Sequence, residues 1–199
     1  MTREEARGRD LVLASTSRYR RVLLERLGVA FRCRAPRVDE ELWKADVEDT
    51  RGLAEGLARA KALSLCDEEP DATLIGCDQL VAFEGRIFGK PASAEGAVGQ
   101  LTALAGRSHE LITALAVWHD GRMFPHTDVT TLRMRSLDRA AIERYVEADR
   151  PVDCAGSYRL EERGITLFES IDSDDQSAIT GLPLIALTTI LRQIGFAIP

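Results

Sequence analysis

The chain intermixes short continuous apolar runs with segments whose apolar residues recur every three or four positions, the pattern of alternating strands and helices. Leu11-Val12-Leu13-Ala14 is a run of strand length, followed by a hydroxyl-rich loop and a helix with Val22, Leu23, Leu24 and Leu27 on its apolar face. Gly28 stops that helix. Residues 29–35 alternate apolar and basic positions, which predicts a half-buried strand closed by Pro36. In the helix predicted over 51–66, Ala54, Leu57, Ala58, Lys61 and Leu65 share one face. Residues 73–83, TLIGCDQLVAF, read as a buried strand, with Glu84-Gly85-Arg86 turning into a return strand at Ile87-Phe88. Ser93 caps a helix that runs to Ala105. Residues 108–119 and 122–135 form two strands joined by Asp120-Gly121, a strong hairpin signal. A helix opens at Asp138, a strand follows at 165–168, an acidic loop fills 169–180, and Pro183 sits in the first turn of the last helix. The order predicts an α/β fold with a mixed elongated sheet flanked by helices, rather than a strictly doubly wound one.

Composition narrows the function. The 199 residues, 45% hydrophobic and 29% charged, suit one globular domain. Residues 1–9 are polar and read as a flexible N-terminal tail ahead of a domain over 10–199. A formal net charge of -6 argues against sequence-independent binding of nucleic acid, which needs a basic surface. There is no apolar run of the length a membrane span needs, and a soluble, cytoplasmic protein is expected. Cys33, Cys66, Cys77 and Cys154 lack C-x-x-C spacing and read as reduced core residues. His109, His119 and His126 form neither a metal triad nor a nucleophile's partner and read as structural.

Four places carry candidate chemistry. A helix N-terminus behind Ser15 and Ser17 offers free N–H groups to an anion, and Arg20 and Arg21 in its first turn oppose the helix dipole unless an anion sits among them. Asp78 interrupts an apolar strand, so its carboxylate is either compensated by a cation, a metal or hydrogen bonds, or lies in a polar turn after the strand divides at Gly76. Lys61 on the apolar stripe either snorkels or points its ammonium into an anionic cleft. Glu40 stands in an acidic loop just beyond a strand end, and Lys90 follows a glycine pattern that fails as a Walker A loop.

The stretch LASTSRYRR resembles the opening A-S-x-S-x-x-R-R motif of the Maf-like nucleotide pyrophosphatases. VDE at 38–40, GCDQLV at 76–81, GKP at 89–91, CAGS at 154–157 and GLPL at 181–184 recur in the same order, so the resemblance spans nearly the whole chain after its short extension. It implies an inosine-triphosphate-pyrophosphatase-like sheet with two lobes around a cleft, commonly in a homodimer. It also implies hydrolysis of a nucleoside triphosphate between the α and β phosphates, with Ser15, Ser17, Arg20, Arg21, Lys61 and Lys90 on the phosphates. Asp78 becomes the proton acceptor, Glu40 helps to hold metal or water, and Mg²⁺ or Mn²⁺ is the expected cofactor. Within the family the chain looks most like the 7-methyl-GTP branch, whose house-cleaning activity keeps modified nucleotides out of nucleic acid. Tyr19, Gln79 and Glu161 stand at the positions that distinguish it, although that branch usually has tryptophan where Tyr19 stands. A nucleotide-holding regulator of septum formation is the competing class, and a relative acting on dTTP, UTP or another modified nucleotide is the competing enzyme.

Overall fold

The structure is a computed structural model that describes residues 10–43 and 49–199. The predicted tail over 1–9 lies outside the described residues. Seven strands, β1 (Leu11–Ala14), β2 (Arg32–Arg34), β3 (Thr73–Phe83), β4 (Arg86–Phe88), β5 (Ser108–His119), β6 (Arg122–Met134) and β7 (Phe168–Asp172), form one mixed sheet. Its order is β2-β1-β3-β5-β6-β7, with β4 paired to β3. β1 is parallel to both β2 and β3, and every other pairing is antiparallel. The mixed α/β sheet expected from the sequence is therefore the fold.

Side chains alternate across the pleat, so β3 and β5 bury a different set on each face. On one face, α3 (Thr50–Leu63) lays Leu53, Ala54, Leu57 and Ala58 against Leu80, Ile112, Ala114 and Ala116. On the other, α1 (Arg18–Glu25) and α7 (Leu184–Gln193) pack with Leu11, Leu13, Ile75, Cys77, Leu115 and Val117. A further core joins α4 (Ala94–Leu104) and α5 (Arg139–Asp149) to Val81, Phe83, Leu132 and Met134. α2 (Glu40–Trp43) and α6 (Gln176–Thr180) are single short helices beside the site.

Three expectations change. The strand predicted at 165–168 is a 3-10 turn over Arg163–Leu167, and β7 begins only at Phe168, where it pairs with β6. Ile165 is exposed in that turn, so its apolar character misled the periodicity. The acidic segment expected as a loop holds the rest of β7 and then α6, whose N-terminus Asp175 caps by accepting from the Ser177 N–H at 2.8 Å. Cys33, expected in the core, is exposed on the edge strand β2, and all four cysteines are free thiols.

Candidate functional site

The site lies in a gap along one edge of β3. β1 pairs with β3 only as far as Ile75, and β4 takes up that edge again only at Val81. The edge between them carries Asp78 and Gln79, which as neighbours on a strand project to opposite faces. Asp78 meets α3 and Gln79 meets α6, and both line one cleft of about 1100 Å³. That is ample for a nucleotide-sized ligand.

β3 runs unbroken through Asp78, so the alternative of a polar turn is excluded. The carboxylate is buried, and its charge is compensated by Lys61, whose Nζ donates to Asp78 Oδ1 at 2.6 Å. The same ammonium lies 2.7 Å from Glu40 Oε1, joining the first residue of α2 to β3. Lys61 is itself buried, so it does not snorkel. An ammonium has three donors, and two meet carboxylates here, which leaves one for a phosphate oxygen. Asp78 Oδ2 is buried with no hydrogen-bond partner among the described residues.

The loop leaving β1 enters α1 beside this pair. Ser15 Oγ accepts from the Ser17 N–H at 3.1 Å, and Ser17 Oγ accepts from the Arg20 N–H at 3.4 Å, which caps the helix. Both hydroxyl protons stay available to an anion. Arg20 Nε donates to the Gly181 carbonyl at 3.0 Å, a tie between α1 and the end of α6 on the lining of the cleft. Arg21 departs from the expectation: it is turned about 100° further round the helix, donates to Glu25 Oε1 at 3.1 Å, and lines a separate surface groove with Arg32 and Arg34. Lys90 lies across the cleft on the loop after β4. That loop is held by Gln100 Nε2, which donates to the Gly89 carbonyl at 3.2 Å, while Gln100 Oε1 accepts from Ser157 Oγ at 2.6 Å. The small-residue turn over 154–157 thus braces the Lys90 loop.

Tyr19 and Glu161 also line the cleft. Arg159 and Arg163, which could have paired with Glu161, are engaged by Asp153 and Asp149 at 2.6 and 2.8 Å. The Tyr19 ring has the Arg18 guanidinium 4.7 Å from its centroid and that of Arg159 at 5.9 Å. Arg159 is fixed by the Asp149 and Arg150 carbonyls, whereas Arg18 is mostly exposed. Tyr19 Oη donates to Asp153 Oδ2 at 3.3 Å and accepts from Arg18 at 2.7 Å, and burial pushes its pKa up to about 12. Burial would lift the Asp153 carboxyl, but the Arg159 hydrogen bond and charge outweigh it and hold the group below the ordinary carboxylate range. Arg18, Asp153 and Arg159 were not singled out from sequence. The adjacency of Asp153 to the Cys154 turn and of Arg18 to the phosphate loop was the signal available.

Among the described residues no group of three or more His, Cys, Asp or Glu side chains is placed to hold a metal. No helix among them is long and apolar enough to cross a membrane. His109 and His119 are structural, meeting Tyr158 Oη at 3.1 Å and Thr73 Oγ1 at 2.9 Å.

A family model described as Maf-like protein matches residues 10–194. A 7-methyl-GTP pyrophosphatase of Bdellovibrio bacteriovorus is 49% identical over 92% of this chain and 96% of its own length. One of Xanthomonas axonopodis is 43% identical over 95% and 98%. Among solved structures, a HAM1 protein from Coxiella burnetii covers 93% of this chain and 99% of its own at 17% identity, with a TM-score of 0.45.

Proposed function

The chain belongs to the Maf-like family, and from that premise we propose that it hydrolyses 7-methyl-GTP to the nucleoside monophosphate and pyrophosphate. The observation that carries this reading is the buried Oδ2 of Asp78, which has no partner among the described residues and lies on the carboxylate that the Lys61 ammonium holds. A buried carboxylate oxygen with a free lone pair can take a proton from a water, and its other oxygen is anchored so that the acceptor is aimed.

The α1 N-terminus, the Ser15 and Ser17 hydroxyls, Arg20, Lys90 and the remaining donor of Lys61 hold the triphosphate and place its α-phosphorus at this oxygen. The water oxygen forms a bond to the α-phosphorus as its proton passes to Asp78. The bond from that phosphorus to the bridging oxygen breaks, and pyrophosphate leaves with its charge held by the same cations. Glu40 shares the Lys61 ammonium and helps to orient the water.

The donor set fits a hard divalent cation. Two carboxylates that share the Lys61 ammonium supply hard oxygen donors, and the polyanionic ligand would complete the shell, so Asp78 and Glu40 would hold Mg²⁺ or Mn²⁺. Such an ion supplies neutralisation of charge on the phosphates when bound. Exhaustive chelation should stop turnover and added Mg²⁺ or Mn²⁺ should restore it; undiminished turnover would remove the ion from the account. The reaction itself is tested by product analysis: 7-methyl-GMP with pyrophosphate is expected. Release of inorganic phosphate, or tight binding without turnover, would overturn it, the latter in favour of a nucleotide-holding regulator.

A further inference from the structure

Gln79 is fixed in one orientation by acceptors alone. Within the described residues every hydrogen bond of its side chain is made by Nε2, which donates to Thr113 Oγ1 at 2.9 Å and to the Ala178 and Ile179 carbonyls at 2.9 and 3.1 Å. Thr113 stands directly opposite Gln79 in the β3–β5 register, is buried, and donates its own hydroxyl proton to the Ala178 carbonyl at 3.0 Å. That donation leaves the threonine only lone pairs to offer Gln79. A flipped amide would set its oxygen against two carbonyl oxygens. The amide oxygen is therefore turned the other way, to the side of Gly181, on the lining of the cleft.

We propose that Thr113 is a positioning residue for base recognition: by holding the Gln79 amide it presents a fixed hydrogen-bond acceptor to the cleft, which selects a base carrying an N–H donor at that point. This deepens the reading of the site as a 7-methyl-GTP pyrophosphatase and rests on it. A purine whose edge carries N–H donors meets the acceptor, whereas an edge stripped of them leaves Gln79 Oε1 desolvated and unpaired. Thr113 lies behind Gln79 and acts only through it.

The structural part is tested without substrate. The Gln79 side-chain amide protons, assigned by their loss in Gln79→Glu, should exchange slowly in the wild type. They should exchange about threefold to tenfold faster in Thr113→Val, with Thr113→Ser restoring the wild-type rate, the range for losing one neutral hydrogen bond. The recognition part compares kcat/KM for 7-methyl-GTP with 7-methyl-ITP, which lacks the 2-amino group, and 1,7-dimethyl-GTP, which lacks the N1 proton. The wild type should disfavour at least one of these analogues. Thr113→Val, which leaves Nε2 only the Ala178 and Ile179 carbonyls, should lessen that discrimination through KM with little change in kcat, and Thr113→Ser should restore it. Unchanged amide exchange in Thr113→Val, or discrimination undiminished in it, overturns the proposal. If the wild type releases no pyrophosphate from 7-methyl-GTP, the functional reading fails and amide exchange alone decides whether Thr113 fixes Gln79.

Discussion

Lys61 on α3 and Asp78 on β3 meet side chain to side chain at 2.6 Å, with 5% and 7% of their side chains exposed. A buried carboxylate so placed is both the strongest candidate for proton acceptor and a charge that cannot stand alone. Asp78→Asn keeps the shape and removes only charge and basicity, so pyrophosphate release should fall by about 10²–10⁴ while the fold and nucleotide binding are kept. Lys61→Met instead strands the carboxylate and should lower stability by about 3–5 kcal/mol. Turnover rates and denaturant midpoints of the two variants check this. An Asn variant that retains more than about a tenth of the activity would remove Asp78 from its role.

Gly76 sets how closely α3 can approach β3. A Cβ there would strike the Ala58 carbonyl oxygen and the Ala62 backbone nitrogen, and backbone on one helix cannot give way locally. Gly76→Ala should therefore push α3 off the sheet and cost about 3 kcal/mol, as overpacking does. Because Lys61 precedes Ala62 on that helix, turnover should fall with stability. Thermal unfolding beside initial rates is the measurement, and a wild-type melting temperature with wild-type rates would contradict the packing described.

His109 is buried against Tyr158 and Phe168, its Nδ1 has no partner among the described residues, and burial lowers its pKa to about 4. The unfolded chain protonates this ring near pH 6.5, so between 6.5 and 4 the unfolded state binds more protons. The stability contributed by the neutral ring is full above about pH 6.5, is lost as pH falls towards 4, and totals roughly 3 kcal/mol. His109→Gln should flatten the fall in unfolding midpoint across that window. Parallel curves for the two proteins would exclude the histidine as its source.

What the sequence revealed depended on how local its causes were. The β5–β6 hairpin was legible because Asp120-Gly121 supplies two positive φ angles in one tight turn. Asp78 was legible because a carboxylate in an apolar strand must be compensated. What compensates it was less so: α2 brings Glu40 to Lys61, a contact no periodicity encodes. Arg21 was misplaced because adjacency in sequence was read as adjacency in space, whereas one helical step turns it to Glu25. The cations over Tyr19 come from its own neighbour and from a loop 140 residues later, and only the first could have been guessed. β7 was missed because an edge strand with exposed acidic positions carries little hydrophobic signal.

The central claim, a pyrophosphatase that prefers 7-methyl-GTP, is tested most directly by kcat/KM for 7-methyl-GTP, GTP, dTTP and UTP on the wild type and on Glu161→Gln. Glu161 lines the same cleft as Tyr19, and a carboxylate there favours a cationic base. The account predicts that the wild type cleaves 7-methyl-GTP well ahead of the other three, and that Glu161→Gln weakens this preference by about 1–3 kcal/mol. Equal or faster cleavage of dTTP or UTP by the wild type would contradict it.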